Sequence, residues 1–290
     1  MPVTEERPLS ADELAQLTRA LDYLGLLASF PWHVQQQFAL AAATNTVVVL
    51  GGNRSGKSQA GLGIVSRLVR REGPIYRRLK DPQNRPLKIW VSPQTLEKYL
   101  SVWEPRLIGQ VFAGMDYQYV QSPHHRFTWD DPCAKGNTLW GKSQEQGFMA
   151  FESDEVDLII LDEEPADKRI YTSCEQRLAT TNGVIVFTFT PLLGMSWTHG
   201  TFYVPVVKPQ YQVRDRDGNA IDRVWKRGNA LTLIQMGMAD NPAAVAGGGV
   251  ARLRENPAIT EAEKQTRLFG KYGYAEGLIF PQFADLMVEA

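Results

Sequence analysis

Cysteine is nearly absent from this sequence. Its 290 residues contain two, Cys133 and Cys174, with no CxxC spacing and no histidine cluster beside them. A disulfide scaffold or a thiolate zinc site is therefore not expected, and both thiols read as buried or idle in a reducing compartment. Histidine is scarce as well. Of four, only His124 and His125 are adjacent, which suits a loop better than a metal site. No run of about 18 apolar residues exists that could cross a membrane. The opening stretch, Met1 to Arg7, is polar and acidic, unlike a secretory signal. Neither an internal repeat nor a low-complexity tract is present. Excess charge of one sign is missing too: 31 Lys and Arg face 32 Asp and Glu, for a net charge of −1. That argues against a surface coated in positive charge. Locally the balance breaks. Arg67, Arg70, Arg71, Arg77, Arg78, Lys80, Arg85 and Lys88 face only Glu72 and Asp81, a net of about +6. Such a stretch is either a phosphate-backbone contact or a solvated basic face.

With 43% hydrophobic and 22% charged residues, the composition is that of a globular protein able to bury a substantial core. The length predicts one large domain, or one with a small partner. The stretch "VVVLGGNRSGKSQAG", Val47 to Gly61, carries the most chemistry. Its four apolar residues are too few for a helix and read as a buried strand. From Gly51 the spacing is G-x-x-x-x-G-K-S, the phosphate-binding P-loop pattern, between a strand and a helix as that pattern requires. Backbone N–H groups at a helix N-terminus favour an anion. Lys57 would reach the β- and γ-phosphates, and Ser58 would offer a hydroxyl to Mg²⁺. The plain alternative is a glycine turn before a Lys-Ser helix start.

A phosphate cradle needs a metal residue and a base before it can hydrolyse anything. The run Asp157-Leu-Ile-Ile-Leu-Asp162-Glu163-Glu164 supplies both, an apolar strand ending in acids. Asp162 would hold the metal shell, as a Walker B aspartate does. Glu163 would polarise the attacking water, and Glu164 is a second candidate for that task. An acidic turn after a core strand is the structural alternative. The next strand ends in Thr188-Phe189-Thr190-Pro191, whose two hydroxyls leave one face and would point toward the γ-phosphate if this strand lay beside the Asp162 strand.

Elsewhere, Ser10 to Glu13 has capping-box form, and a helix is expected over Val34 to Ala43. The P-loop helix should run to about Arg71 and break at Glu72-Gly73-Pro74. A core strand at Leu87 to Pro93 precedes a helix from about Thr95 to Ile108. The segments "YQYV", "RFTW" and "TLWGKS", between Tyr117 and Ser143, read as short antiparallel strands on one edge. A helix from about Asp167 to Ala179 joins the two acidic and threonine-bearing strands. Strands separated by helices predict an α/β layered sheet. Beyond Pro191 come further short strands, a turn at Asp215 to Gly218, glycines 247 to 249, and a helix opened by Thr260-x-x-Glu263.

Taken in order, "GGNRSGKS", "IILDEEP" and "FTFTPLLGMSW" resemble the ATPase half of the large terminase subunit of tailed bacteriophages. Upstream, "FPWHVQQQF" is similar to the adenine-recognition segment of those motors, with Gln35 the best match and Gln36 and Gln37 leaving the register open. Downstream, "FGKYGYAEGLIFPQFAD" resembles the segment that closes the ATPase region, so the likeness runs from about Phe30 to Asp285. It implies an α/β P-loop NTPase fold of the RecA-like, additional-strand catalytic-glutamate type, with a mostly parallel sheet flanked by helices. It implies a helical segment with adenine contacts over 1–45, an ATPase core over 46–200, and a lid and linker over 201–290. By position, Gly51, Gly52, Asn53, Arg54, Ser55, Gly56, Lys57, Ser58 and Gln59 would bind nucleotide. Ser58 and Asp162 would bind the metal, and Glu163, Lys57 and Arg54 would serve catalysis. Thr188 and Thr190 match the coupling motif. Arg54 would stabilise transition-state charge, with pairing to a local carboxylate as its alternative, and Arg177 is a further candidate finger or sensor.

The resemblance also implies ATP and Mg²⁺ as cofactors and ATP-driven translocation of double-stranded DNA into a procapsid, in the host cytoplasm. Partners would be the portal protein, the small terminase subunit and further copies in a ring. Such subunits usually continue into a nuclease domain. "FADLMVEA" holds too few acids for a two-metal site, so ATPase without cleavage is expected of this chain. Two rival functions share parts of the pattern: a superfamily-2-like helicase or DNA translocase, which needs a second RecA-like domain, and a nucleotide-gated scaffold without turnover.

Overall fold

Strand after strand in this chain is apolar on both faces, which only a sheet covered by helices on each side can accommodate. The computed structural model describes residues 32–121, 125–130 and 134–273. The helix expected from Ser10, the cysteine Cys133, His124 and the closing segment beyond Gly273 lie outside the described residues.

In chain order, helix α1 (Val34–Ala41) leads into β1 (Thr46–Gly51), the P-loop and helix α2 (Lys57–Val69). A short helix α3 (Gly73–Arg78) precedes β2 (Lys88–Pro93). Pro74 opens α3 instead of ending α2, a position where its missing N–H costs nothing. A continuous helical stretch over 96–111, α4, follows. It alternates α-turns (Leu96–Lys98, Glu104–Arg106) with π-turns (Tyr99–Trp103, Leu107–Val111). Then come β3 (Tyr117–Val120), β4 (His125–Trp129), β5 (Thr138–Gly141) and β6 (Leu158–Asp162). Helix α5 (Lys168–Leu178), capped by Asp167, leads to β7 (Val184–Phe189). The last elements are β8 (Gln212–Arg214), β9 (Ala220–Arg227), β10 (Leu231–Met236) and helices α6 (Pro242–Ala246), α7 (Gly249–Arg254) and α8 (Glu261–Phe269).

Among the described residues ten strands form one sheet in the order β3-β4-β5-β2-β6-β7-β1-β10-β9-β8. The six central strands are parallel, and an antiparallel pair extends each edge. One expectation is corrected here. The "TLWGKS" strand is not simply part of an antiparallel edge: β5 pairs antiparallel with β4 and parallel with β2, joining the central six. Strand β7 lies between β1 and β6, the additional-strand arrangement expected of this class of P-loop fold.

The segment 201–290, expected as lid and linker, contributes β8, β9 and β10, so the sheet runs across the boundary drawn at residue 200. Strand β10 is buried along its whole length beside β1. Its polar residues disguise it in the sequence, yet both are bonded: Thr44 donates to Thr232 at 2.9 Å and Gln235 to the Phe269 carbonyl at 3.0 Å.

Alternation along β1 sets the layers. Val47 and Val49 join the core beneath α1, α2 and α4, while Val48 and Leu50 join the core beneath α5. A helix-covered parallel sheet presents its ligand edge at the C-terminal ends of its strands.

The basic stretch from Arg67 to Lys88 serves the opposite edge. Arg71 bonds the carbonyls of Pro82 and Arg85, and Arg78 bonds Ala43, Asn45 and Asn182. Arg85 makes a two-pronged pair with the fully buried Asp157, at 2.5 and 2.9 Å, and Asp157 also accepts from the Lys88 N–H. Arg71, Arg78 and Arg85 therefore tie loops together at this edge. Asp157→Ala strands Arg85 and should cost about 2–4 kcal/mol in denaturant unfolding, somewhat below a fully buried pair because Arg85 is partly exposed. Lys88→Met breaks only the exposed pair with Asp154 and should cost about 0–1 kcal/mol. Equal losses would contradict this account of the edge.

Candidate functional site

The P-loop leaves β1 at Gly51 and closes at Gly56, whose φ of +95° makes it the left-handed cap of α2. Side chains with a Cβ resist that conformation. Arg54 is also left-handed, at φ 54°, and its carbonyl accepts from Asn241 Nδ2 at 2.6 Å. The Gly52 and Asn53 N–H groups donate to the carbonyls of Met236 (3.0 Å) and Arg267 (2.7 Å). No side chain fits at position 52, because a Cβ there would stand 2.4 Å from the Arg267 carbonyl oxygen.

Lys57 is buried, and its Nζ donates to the Gly52 carbonyl (2.8 Å) and Thr190 Oγ1 (2.9 Å). Burial lowers its pKa, while Glu163 and Asp162 pull it back up. Asp162 ends β6 and receives three donors. Ser58 Oγ (3.1 Å) and Thr188 Oγ1 (2.6 Å) bond its Oδ1, and Trp103 Nε1 (2.8 Å) bonds its Oδ2. Asp162 and Thr188 face each other across the β6–β7 pairing. The two threonines thus divide their work: Thr188 holds the aspartate and Thr190 holds the lysine.

Glu163 follows at φ 70°, with its N–H bonded to the Thr188 carbonyl at 2.9 Å. Gln144 Nε2 reaches the carbonyls of Ser92, Asp162 and Glu163 at 3.1–3.2 Å and steadies this turn. Burial, and then the Asp162 charge, raise the Glu163 pKa, against smaller lowering by Lys57, Lys98 and the Thr190 N–H. Glu164 turns elsewhere. Ser196 and Thr198 donate to its Oε1, Thr198 also bonds the Tyr272 hydroxyl, and Trp197 Nε1 donates to the Pro165 carbonyl at 2.8 Å. The "DEEP" and "GMSW" segments are thus one packed unit, and Glu164 lies within it.

Beside the loop is a cavity of about 530 Å³, lined by residues 54–59 with Gln36, Arg106, Asn241, Ala243 and Ala244. Two arginines, Arg54 and Arg106, border it, and among the described residues neither forms an ion pair with a carboxylate. Arg106 makes one contact at 3.3 Å, to Gln59 Oε1.

Two of the expected residues lie away from the loop. Gln36, not Gln35, reaches the loop: its Nε2 donates to the Gly56 carbonyl at 3.0 Å, and His33 Nε2 meets the Ser55 carbonyl at 2.8 Å. Gln35 is buried on α1 and is not part of the cavity wall. Arg177 lies near the C-terminal end of α5, bonded to the Glu152 carbonyl, and its own carbonyl accepts from Val156 just before β6. That is the edge opposite the P-loop, so Arg177 does not join this site. Trp103, Arg106, Gln144 and Asn241 were not foreseen, since each comes from an element with no motif of its own.

No protein-family model matches the sequence, and no curated protein does. Solved structures do. The Large Terminase ATPase domain of Thermus phage P74-26 superposes with a TM-score of 0.58 at 17% identity, over 87% of this chain and 97% of that one. A point mutant of the same domain gives 0.59 at 16% identity, over 88% and 98%. The fold is that of a large terminase ATPase domain. The large terminase of the thermophilic bacteriophage D6E, solved with ADP, gives 0.57 at 14% identity. There the likeness covers 87% of this chain and 56% of the D6E chain. At these identities it is a likeness of architecture.

The raised pKa of Glu163 has a consequence for stability. A carboxyl that binds its proton more tightly folded than unfolded imposes no penalty well below its unfolded pKa. The penalty grows as pH rises from there through the folded value. At neutral pH Glu163→Gln should therefore raise the melting midpoint by about 2 °C or more, with the gain shrinking toward pH 4. A lower midpoint than wild type at neutral pH would contradict the burial cost assigned to this carboxylate.

Proposed function

We propose that this chain is an ATP-hydrolysing motor domain that uses Mg²⁺ and drives double-stranded DNA into a viral procapsid. The observation that carries the hydrolytic part is the convergence of Lys57, Ser58, Asp162, Glu163 and Thr190 on the strand ends around one P-loop. The neutral acceptors that Lys57 now bonds, a carbonyl and a hydroxyl, are weaker partners than phosphate oxygens. A bound triphosphate would draw the lysine away from them and offset the burial that lowers its pKa. The N–H groups opening α2 would meet the same phosphates.

The donor set suits magnesium. Among the described residues no cluster of three or more His, Cys, Asp or Glu exists. Mg²⁺ at a nucleotide needs none, since one carboxylate, a hydroxyl, the phosphates and waters suffice. Ser58 and Asp162 would hold it, and it would supply neutralisation of the β,γ-phosphate oxygens. Glu163 would take the proton of the attacking water, and a buried carboxylate with a raised pKa is the better base. Arg54 would stabilise charge on the transferring group in cis, and among the described residues it forms no ion pair with a carboxylate. Gln36 and His33 would fix the loop edge where the base enters, and Thr190 would pass the nucleotide state from Lys57 to the segment after β7.

The DNA-translocating part rests on the likeness in fold to two phage large terminases. Portal protein, a small terminase subunit and further copies in a ring are the partners that this reading brings, in a host cytoplasm. No described helix is long and apolar enough to cross a membrane.

Phosphate release from ATP with Mg²⁺ tests the hydrolytic claim. Lys57→Ala should abolish it. Glu163→Gln should still bind ATP yet lose turnover about a hundredfold or more. Glu164→Gln should keep most of the rate, because that side chain serves Ser196 and Thr198. Loss in Glu164→Gln with retention in Glu163→Gln would move the base to Glu164. A wild-type chain that neither binds nor cleaves ATP would contradict the whole proposal. Addition of double-stranded DNA and portal-bearing capsids should raise the wild-type rate; no response would leave an ATPase without the proposed track.

A further inference from the structure

We propose that Trp103 is a positioning residue for Asp162, fixing the metal-binding carboxylate while leaving its charge intact. The inference rests on the reading of Asp162 as a Mg²⁺ residue. A carboxylate as buried as Asp162 needs hydrogen-bond donors from within the protein. Its Oδ1 is held by two hydroxyls, and its Oδ2 accepts from one side chain, the Trp103 indole, at 2.8 Å. Trp103 is only 1% exposed. Its ring is wedged against α2, where a Cβ on Gly61 would stand 3.0 Å from Cη2.

The chemistry of the donor explains the choice. Indole N–H donates and never accepts, so it cannot reverse its role when ligands come and go. Lysine or arginine at this place would donate equally well but would cancel the charge that attracts a divalent cation. When Ser58 turns its hydroxyl to a cation, Thr188 and Trp103 remain to hold the carboxylate. Local helix geometry supports this use. Trp103 closes the first π-turn of α4, and such widened turns occur often at functional sites. Its neighbour one turn on, Arg106, borders the nucleotide cavity. Helix α4 thus carries one residue toward the metal side of the P-loop and another toward the cavity.

The test is equilibrium ADP binding to the whole chain, in EDTA and across a Mg²⁺ titration, with thermal melting in parallel. Trp103→Phe keeps an aromatic ring and removes the N–H. It should raise the half-saturating Mg²⁺ concentration about tenfold or more while changing ADP affinity in EDTA by less than about twofold. A purely structural tryptophan would lower the melting temperature and leave the Mg²⁺ dependence as in wild type; that result overturns the proposal. A wild-type chain that binds ADP but gains nothing from Mg²⁺ would instead overturn the metal reading of Asp162 itself. A second measurement needs no variant. In the wild-type chain, Mn²⁺ with ADP should broaden at least one of the seven tryptophan indole N–H resonances, and ADP in EDTA should not. Seven sharp signals with Mn²⁺ and ADP bound would overturn the proposal even if the phenylalanine chain does not fold.

Discussion

A buried carboxylate must find its hydrogen bonds inside the protein, and Asp162 finds them on three separate elements. Ser58 comes from the P-loop helix, Thr188 from the adjacent strand and Trp103 from a helix more than forty positions further along than Ser58. The Thr188 contact exists because β7 lies between the P-loop strand and the Asp162 strand. With β7 in that place, two hydroxyls on one face of one strand end reach in opposite directions, Thr188 to the aspartate and Thr190 to Lys57. The order β6-β7-β1 is therefore the arrangement on which the proposed chemistry depends.

The P-loop is held from behind by parts of the chain far away in sequence. Strand β10 and the end of α8 press on Gly51 and Gly52 closely enough that no side chain fits there. Asn241 fixes the left-handed turn at Arg54, and its neighbour Asp240 is clasped by both terminal nitrogens of Arg223 at 2.8 Å. On the other side, Glu164 and Pro165 are locked to Ser196, Trp197 and Thr198. A shift of the loop on nucleotide binding would be felt directly by α8 and by the segment after β7. Those are the elements through which the proposed motor would transmit force.

Much of this was legible in the sequence because it is local. The P-loop spacing, the apolar strand ending at Asp162 and the paired threonines are short patterns whose geometry follows from strand and helix periods. What stayed hidden is pairwise and distant. Trp103 sits on a helix that could be expected, but nothing in its spacing tells that its indole meets Asp162. The three glutamines of α1 are adjacent in sequence, and only packing decides that Gln36 faces the loop. Arg177 looked available because a helix after β6 must return along the sheet, and that return carries it to the far edge. The basic residues from Arg67 to Lys88 looked like a surface charge, and the sequence did not tell that Arg71, Arg78 and Arg85 also tie loops together. Strand β10 was masked by two polar residues that are satisfied only in the folded chain.

The most direct measurement is a crystal structure of the chain with an ATP analogue and Mg²⁺. The account predicts the triphosphate wrapped by residues 52–58, with Lys57 Nζ moved from the Gly52 carbonyl and Thr190 hydroxyl onto phosphate oxygens, and the metal between Ser58 and Asp162. Lys57 still bonded to Thr190, with the nucleotide bound elsewhere or not at all, would contradict it.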